Sequence, residues 1–350
     1  MDAKLLAGVL ALAMILAGCG GDEPGWTSEV PAAPTMVSVT ATQTPSDDAS
    51  PLVDPTPTPG GGELVSDDAA SVGQPGPSPT PAAVWTPLPW VCPVLHGRTE
   101  IATLDSQAMG EQVRYLIHVP PCYDDYPGRA FPTLYLFHGW PLDEWHWVNL
   151  GIADWVDDWV SRGITGPYIV VMPGVSSDGR YVNSSGGDSS FEGLVVNELL
   201  PAVDMAYRTL STPEGRAVGG ISRGAVWALE ISLRHQDLFG AVGAHSPALA
   251  LNNPLPQYDP YRIIQEGALS LRVYLDAGDR DWARAGTIKF RDALQTVGAD
   301  VVYELREGAH VDELWRGGVP DYLAFYASAW PGSYDVLPPW TPPTSSPGDG

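Results

Sequence analysis

Gly220-Ile221-Ser222-Arg223-Gly224 follows the short apolar stretch Ala217-Val218 and leads into a helical run from Ala225. Strand, sharp turn and helix in that order make a nucleophile elbow, which lifts a serine hydroxyl above the end of a sheet. The turn strains the backbone at the serine, and a glycine two residues to either side gives the crossing strand and helix room. A serine hydroxyl is a poor nucleophile at neutral pH and needs a base within hydrogen-bond reach, itself oriented by a carboxylate.

Chain order narrows the base. With an elbow of this kind the acid comes next and the histidine last. His96, His118, His138, His146, His235 and His245 all come before the candidate acid loop, and only His310 follows it, in Glu307-Gly308-Ala309-His310. The acid loop, Leu275-Asp276-Ala277-Gly278-Asp279-Arg280-Asp281, offers three aspartates. Asp281 lies farthest from the strand and is best placed to reach the His310 loop; Asp276 and Asp279 are the alternatives, better suited to bonding loop amides. Developing negative charge on a reacting carbonyl needs preorganised amide donors. The N–H of Arg223 is one candidate and that of Trp140, in His138-Gly139-Trp140, the other, with His138 itself structural. No HExxH is present, and His146 beside Asp143 and Glu144 reads as a solvated loop, so neither a metal nor another cofactor is implied.

The elements that must hold these residues alternate. Val113, Tyr115, Ile117 and Val119 have the period of a half-buried edge strand. Leu134–Phe137, Ile169–Met172, Ala217-Val218, Ala241-Val242, Val273–Leu275 and Val301–Tyr303 are short apolar runs that suit buried parallel strands. Helical stretches at Ile152–Val160, Phe191–Tyr207, Ala225–Arg234, Thr287–Val297 and Asp321–Ala329 separate several of them. The pattern predicts an α/β fold with a mostly parallel sheet covered on both faces and a site at the carboxyl ends of its strands.

The chain has 35 prolines, and they are densest outside this region. Lys4, an apolar stretch from Leu5 to Leu16 and then Leu16-Ala17-Gly18-Cys19 resemble a bacterial lipoprotein signal, in which the cysteine becomes the lipid-bearing N-terminus. The expected division is a signal peptide at 1–18, an extended Pro/Thr/Ser-rich acidic linker at 19–89, a catalytic domain at 90–332 and a disordered tail at 333–350. Export and lipid anchoring would place the domain outside the cytoplasm, where Cys92 and Cys122, the pair left once Cys19 is lipidated, are expected to form a bridge, two buried thiols being the alternative. A net charge of −24 argues against nucleic acid as a partner.

Phe137-His138-Gly139, Asn197-Glu198-Leu199-Leu200-Pro201 with Asp204 and Tyr207-Arg208-Thr209, Gly220-Ile221-Ser222, Gly278 with Asp281, and Gly308-Ala309-His310 together resemble one esterase family of α/β-hydrolases. That family groups feruloyl esterases, S-formylglutathione hydrolases, enterochelin esterases and antigen 85 mycolyltransferases. The resemblance runs from about Tyr115 to Trp330. It implies the α/β-hydrolase fold, the triad Ser222, Asp281 and His310, and hydrolysis of carboxylic esters through an acyl-enzyme. The substrate would be a small molecule or a polysaccharide ester, such as a feruloyl- or acetyl-carbohydrate. Acyl transfer by the same intermediate, or an inert surface-binding protein, are the alternatives. Two departures fall at the oxyanion donors: Arg223-Gly224-Ala225 after the serine, where the family has an apolar residue and two glycines, and Trp140-Pro141-Leu142-Asp143-Glu144 in place of a glycine-rich loop. Trp140, Trp145, Trp147, Trp227, Trp282 and Trp315 fall near the site loops or the elbow helix, where exposed aromatic faces would stack on a sugar or a phenolic acyl group and the rest would be core.

Overall fold

The computed structural model describes residues 92–175 and 186–343. Cys19, the signal segment 1–18 and the linker 19–89 lie outside the described residues. Among the described residues no helix is long and apolar enough to cross a membrane.

Eight strands form one sheet: β1 (Arg98–Ser106), β2 (Glu111–Val119), β3 (Thr133–Phe137), β4 (Ile169–Pro173), β5 (Arg216–Ile221), β6 (Ala241–His245), β7 (Arg272–Gly278) and β8 (Val301–Arg306), in the order β1-β2-β4-β3-β5-β6-β7-β8. From β4 to β8 neighbouring strands are parallel, while β2 runs antiparallel to both β1 and β4. The apolar runs are explained by this placement. Every residue of β3, β4, β5 and β6 is buried, as strands covered on both faces require. The observed architecture is the expected α/β-hydrolase one.

Three elements differ from the sequence reading. The segment expected as an edge strand is β2, one strand in. The true edge on this side is β1, whose sequence Arg-Thr-Glu-Ile-Ala-Thr-Leu-Asp-Ser mixes charged and hydroxyl residues with single apolar ones and lacks an apolar run. The single helix expected over Phe191–Tyr207 is α3 (Phe191–Gly193), a π-helical stretch over Leu194–Leu199, and α4 (Leu200–Ala206). Pro201 cannot donate to the carbonyl four residues back, and the wider turn absorbs the missing bond. The last α-helix, α8 (Asp312–Ala327), begins nine residues before the expected Asp321 and runs through Gly317, Gly318 and Pro320, residues of low helix propensity.

The remaining α-helices among the described residues are α1 (His146–Asn149), α2 (Ile152–Ser161), α5 (Arg223–Arg234), α6 (Pro260–Ile263) and α7 (Arg284–Thr296). Cys92 and Cys122 are joined, with an S–S distance of 1.93 Å and Cα atoms 6.0 Å apart. The segment expected to be loose from 333 is packed at its start: Tyr334 and Leu337 are buried, Ala130 N–H donates to Pro338 O at 2.9 Å and Trp340 N–H to Gly128 O at 2.9 Å. These contacts extend the folded region beyond 332, because two apolar side chains cover the β2–β3 connection.

Candidate active site

Parallel strands bring their carboxyl ends to one edge of the sheet, so residues distant in sequence meet there. Gly139 follows β3, Ser222 follows β5, Ser246 follows β6, Asp281 follows β7 and His310 follows β8.

Ser222 sits at φ 55° and ψ −111°, a conformation that side chains rarely adopt. Two backbone hydrogen bonds to the end of β6 and the loop after it hold it: Ser222 N–H donates to His245 O at 2.9 Å and Ala248 N–H to Ser222 O at 3.1 Å. The flanking glycines are there for space. A Cβ on Gly220 would lie 2.3 Å from the Gly224 carbonyl, and one on Gly224 would lie 2.4 Å from Phe137 O.

Ser222 Oγ is 2.9 Å from His310 Nε2, and His310 Nδ1 is 2.8 Å from Asp281 Oδ1. The same Asp281 oxygen accepts Ala283 N–H at 2.7 Å. Burial pushes the Asp281 carboxyl up, but hydrogen bonds from His310, Ser246 and the Ala283 amide outweigh it and hold the group below the usual carboxylate range. Asp281 Oδ2 has no partner in ordinary hydrogen-bond geometry, and the Ser246 hydroxyl acts on the carboxylate as a neighbour just outside it. With Asp281 ionised, the proton of His310 sits on Nδ1, and Nε2 is left to accept from the serine.

The other two aspartates have separate partners. Asp276 is fully buried: its oxygens meet His245 Nδ1 at 3.0 Å, Arg306 Nε at 2.9 Å and Tyr322 OH at 2.7 Å. Asp279 accepts Gly308 N–H at 2.9 Å, and this bond holds its carboxyl below the usual range. Arg280 N–H donates to Gly308 O at 2.9 Å, and a Cβ on Gly278 would come within 2.3 Å of that same oxygen. Asp279 and Gly278 thus clamp the acid loop to the histidine loop without touching the histidine.

The amide of Arg223 opens α5, where the helix dipole favours negative charge. Its side chain is buried: Nη1 donates to Asn252 Oδ1 at 2.7 Å, and Nη2 lies 3.5 Å from Glu230 Oε2. Burial pulls Arg223 down to about 10 and pushes Glu230 up to about 7, each countered by the other's charge. His138 is structural, as expected. Its Nδ1 donates to Gly139 O at 3.0 Å and its Nε2 accepts Val175 N–H at 3.1 Å; burial lowers it to about 4, so the ring is neutral.

His146 departs from the expectation of a solvated loop. It is buried between Gly139, whose N–H it accepts at 3.1 Å, and Asp312, 3.3 Å away. Glu144 is buried too, paired with Arg114 on β2. Hydropathy hid both, since polar residues next to Trp145 and Trp147 look like a surface loop. Ser246 was also missed; it has φ 50°, and its hydroxyl accepts Trp315 Nε1–H at 3.1 Å. A lone Ser-Pro after a strand carries no signal for that role.

Of the six tryptophans expected near the site loops or the elbow helix, Trp147, Trp227 and Trp315 are core, and Trp145 is partly buried against it. Trp140 and Trp282 are exposed, at 50% and 47%. Trp282 lies over the His310 ring, with centroids 4.3 Å apart.

Residues 106–325 match the model of the family described as "Putative esterase". The chain belongs to this esterase family. Over 229 residues it is 28% identical to an endo-1,4-beta-xylanase/feruloyl esterase of Xylanibacter ruminicola, a match covering 63% of this chain and 30% of that protein. An esterase of Mycobacterium tuberculosis is 35% identical over 135 residues, covering 37% of this chain and 28% of its own length. The match thus spans less than a third of either relative. Among solved structures, a ferulic acid esterase superposes with a TM-score of 0.62 at 22% identity, covering 67% of this chain and 99% of its own. At that identity the likeness is one of fold.

Proposed function

We propose that this esterase-family chain hydrolyses carboxylic esters through an acyl-enzyme on Ser222. The observation that carries the reading is the unbroken relay from Ser222 Oγ to His310 Nε2 at 2.9 Å and from His310 Nδ1 to Asp281 at 2.8 Å. Ser222 attacks the acyl carbonyl while His310 takes its proton, and Asp281 stabilises the imidazolium. The Arg223 and Trp140 amides receive the oxyanion. His310 returns the proton to the leaving alcohol, and a water activated by the same base frees the acid.

Acylated carbohydrates are the proposed substrates. The reading draws on the relative named as a feruloyl esterase and on Trp140 and Trp282, two exposed aromatic faces in loops of the site. Anchoring through Cys19 and a location outside the cytoplasm complete the proposal, supported by the Leu16–Cys19 motif and the Cys92–Cys122 bridge.

A fluorophosphonate probe followed by peptide mass spectrometry should place an adduct on Ser222, absent from Ser222→Ala. An unlabelled, folded wild-type protein would sink the reading. Parallel assays with methyl ferulate, acetylated xylan and a sugar acceptor test the substrate, and acyl product that appears only with acceptor would assign transfer instead. Cys19→Ser should abolish fatty-acid labelling of the exported protein.

A further inference from the structure

His146 stands outside the proton relay yet touches both sides of it. Its side chain is 1% exposed. On one side Nδ1 accepts the Gly139 N–H at 3.1 Å. Gly139 adjoins the nucleophile, since a Cβ built on it would lie 3.5 Å from His146 Cε1 and 3.6 Å from Ser222 Cβ. On the other side Nε2 is 3.3 Å from Oδ1 of Asp312, two residues beyond His310. Trp315 stands edge-on to both histidines, with ring centroids 6.0 Å from His146 and 4.9 Å from His310.

The partners determine the protonation state. An amide N–H only donates, so Nδ1 must keep its lone pair, and the single proton sits on Nε2 facing Asp312. The Gly139 carbonyl is held from elsewhere, by Leu142 N–H at 2.8 Å and by His138 Nδ1 at 3.0 Å. In a trans peptide the C=O and the following N–H point in opposite directions. Anchoring Gly139 O therefore aims the Trp140 N–H, and anchoring Gly139 N–H sets the peptide plane before it. Two neutral histidines orient the two successive planes that present the Trp140 donor.

We propose that His146 is a positioning residue for the oxyanion loop, tied through Asp312 to the loop of His310, and that protonating it turns an acceptor into a donor facing Gly139 N–H and so misaligns the Trp140 amide. The proposal rests on the serine-hydrolase reading of the site. The ionisable groups around the ring are Asp312 at the start of α8, Asp143 in its own loop and His138 at the end of β3; His310 is reached only across Trp315. Burial opposes the charged form more than the two aspartates favour it, so the ring is neutral at pH 7.

The test uses the full chain with p-nitrophenyl acetate, fluorophosphonate labelling and thermal melting. Removing one oxyanion donor outright costs about 100- to 1000-fold in kcat. His146→Ala, which loosens a donor without removing it, should lower kcat by roughly 10- to 100-fold with KM within about threefold. His146→Asn places an acceptor near the Nδ1 position and should recover most of that loss at pH 8. On the acid side the wild-type rate should steepen from a one-proton to a two-proton dependence, and His146→Asn should keep the one-proton limb. A packing role alone would lower the melting temperature and leave the limb steep. Wild-type kcat in His146→Ala, or an unchanged steep limb in His146→Asn, overturns the proposal. If His146→Ala does not fold, the Asn variant's pH profile decides by itself. Absence of wild-type labelling at Ser222 would instead overturn the reading beneath it.

Discussion

Three aspartates fall within six residues at the end of β7, and the structure gives them partners that separate them by experiment. Asp281→Asn is the informative change. Oδ1 of Asp281 accepts both His310 Nδ1–H at 2.8 Å and Ala283 N–H at 2.7 Å. An asparagine oxygen placed there by the Ala283 amide keeps both bonds, and its NH2 falls where Oδ2 was, so orientation and tautomer survive and only the charge is lost. A unit charge pair separated by roughly 4 Å is worth about 4 kcal/mol at an effective dielectric of about 20. That pairing exists only once His310 carries the serine proton, so its loss falls on the transition state and corresponds to about a thousandfold in kcat. KM should change little. Asp279→Ala removes only the clamp on Gly308 and should cost less than about tenfold. Asp276→Asn breaks a buried ion pair and should destabilise by about 3 to 5 kcal/mol, lowering the melting temperature by roughly 10 °C. Steady-state kinetics on a chromogenic ester, beside thermal melts, measure all three. A folded Asp279→Ala or Asp276→Asn that loses more kcat than Asp281→Asn would refute the assignment of the acid.

Gly220→Ala should abolish folding or cost upwards of about 3 kcal/mol in chemical denaturation, because a Cβ there meets backbone 2.3 Å away and no side chain can yield. His138 gives a pH signature. Burial lowers its folded pKa to about 4, against 6.5 for the ordinary group, so between these values the unfolded chain binds more protons. Stability from this residue is therefore complete above pH 6.5 and lost as pH falls towards 4; the difference is worth about 3 kcal/mol, and urea titrations of His138→Asn should show a flatter acid limb. Reducing the Cys92–Cys122 bridge, which spans a sequence separation of 30, should destabilise by about 3 to 4 kcal/mol, read as a lower urea midpoint under reducing agent.

The fold class was legible because strands buried on both faces must be apolar along their length, and β3, β4 and β7 announce themselves that way. Ser222 was legible because an elbow needs small residues at fixed offsets, and His310 because chain order left no other histidine after the acid loop. Both are local or topological constraints, and one sequence carries them. The edge β1, the nine helical residues before Asp321 and the buried state of His146 were not legible. A charged edge strand has no periodic apolar signal, Gly317, Gly318 and Pro320 oppose by propensity a helix that tertiary packing imposes, and burial of a polar side chain depends on partners far along the chain. The same holds for the acid. Sequence could place three aspartates within reach of the histidine loop, but the choice depended on which oxygen faces His310 Nδ1. That was decided by the Gly278–Gly308 contact, made only once β7 and β8 lie side by side, with the Ala283 amide two residues on fixing the oxygen.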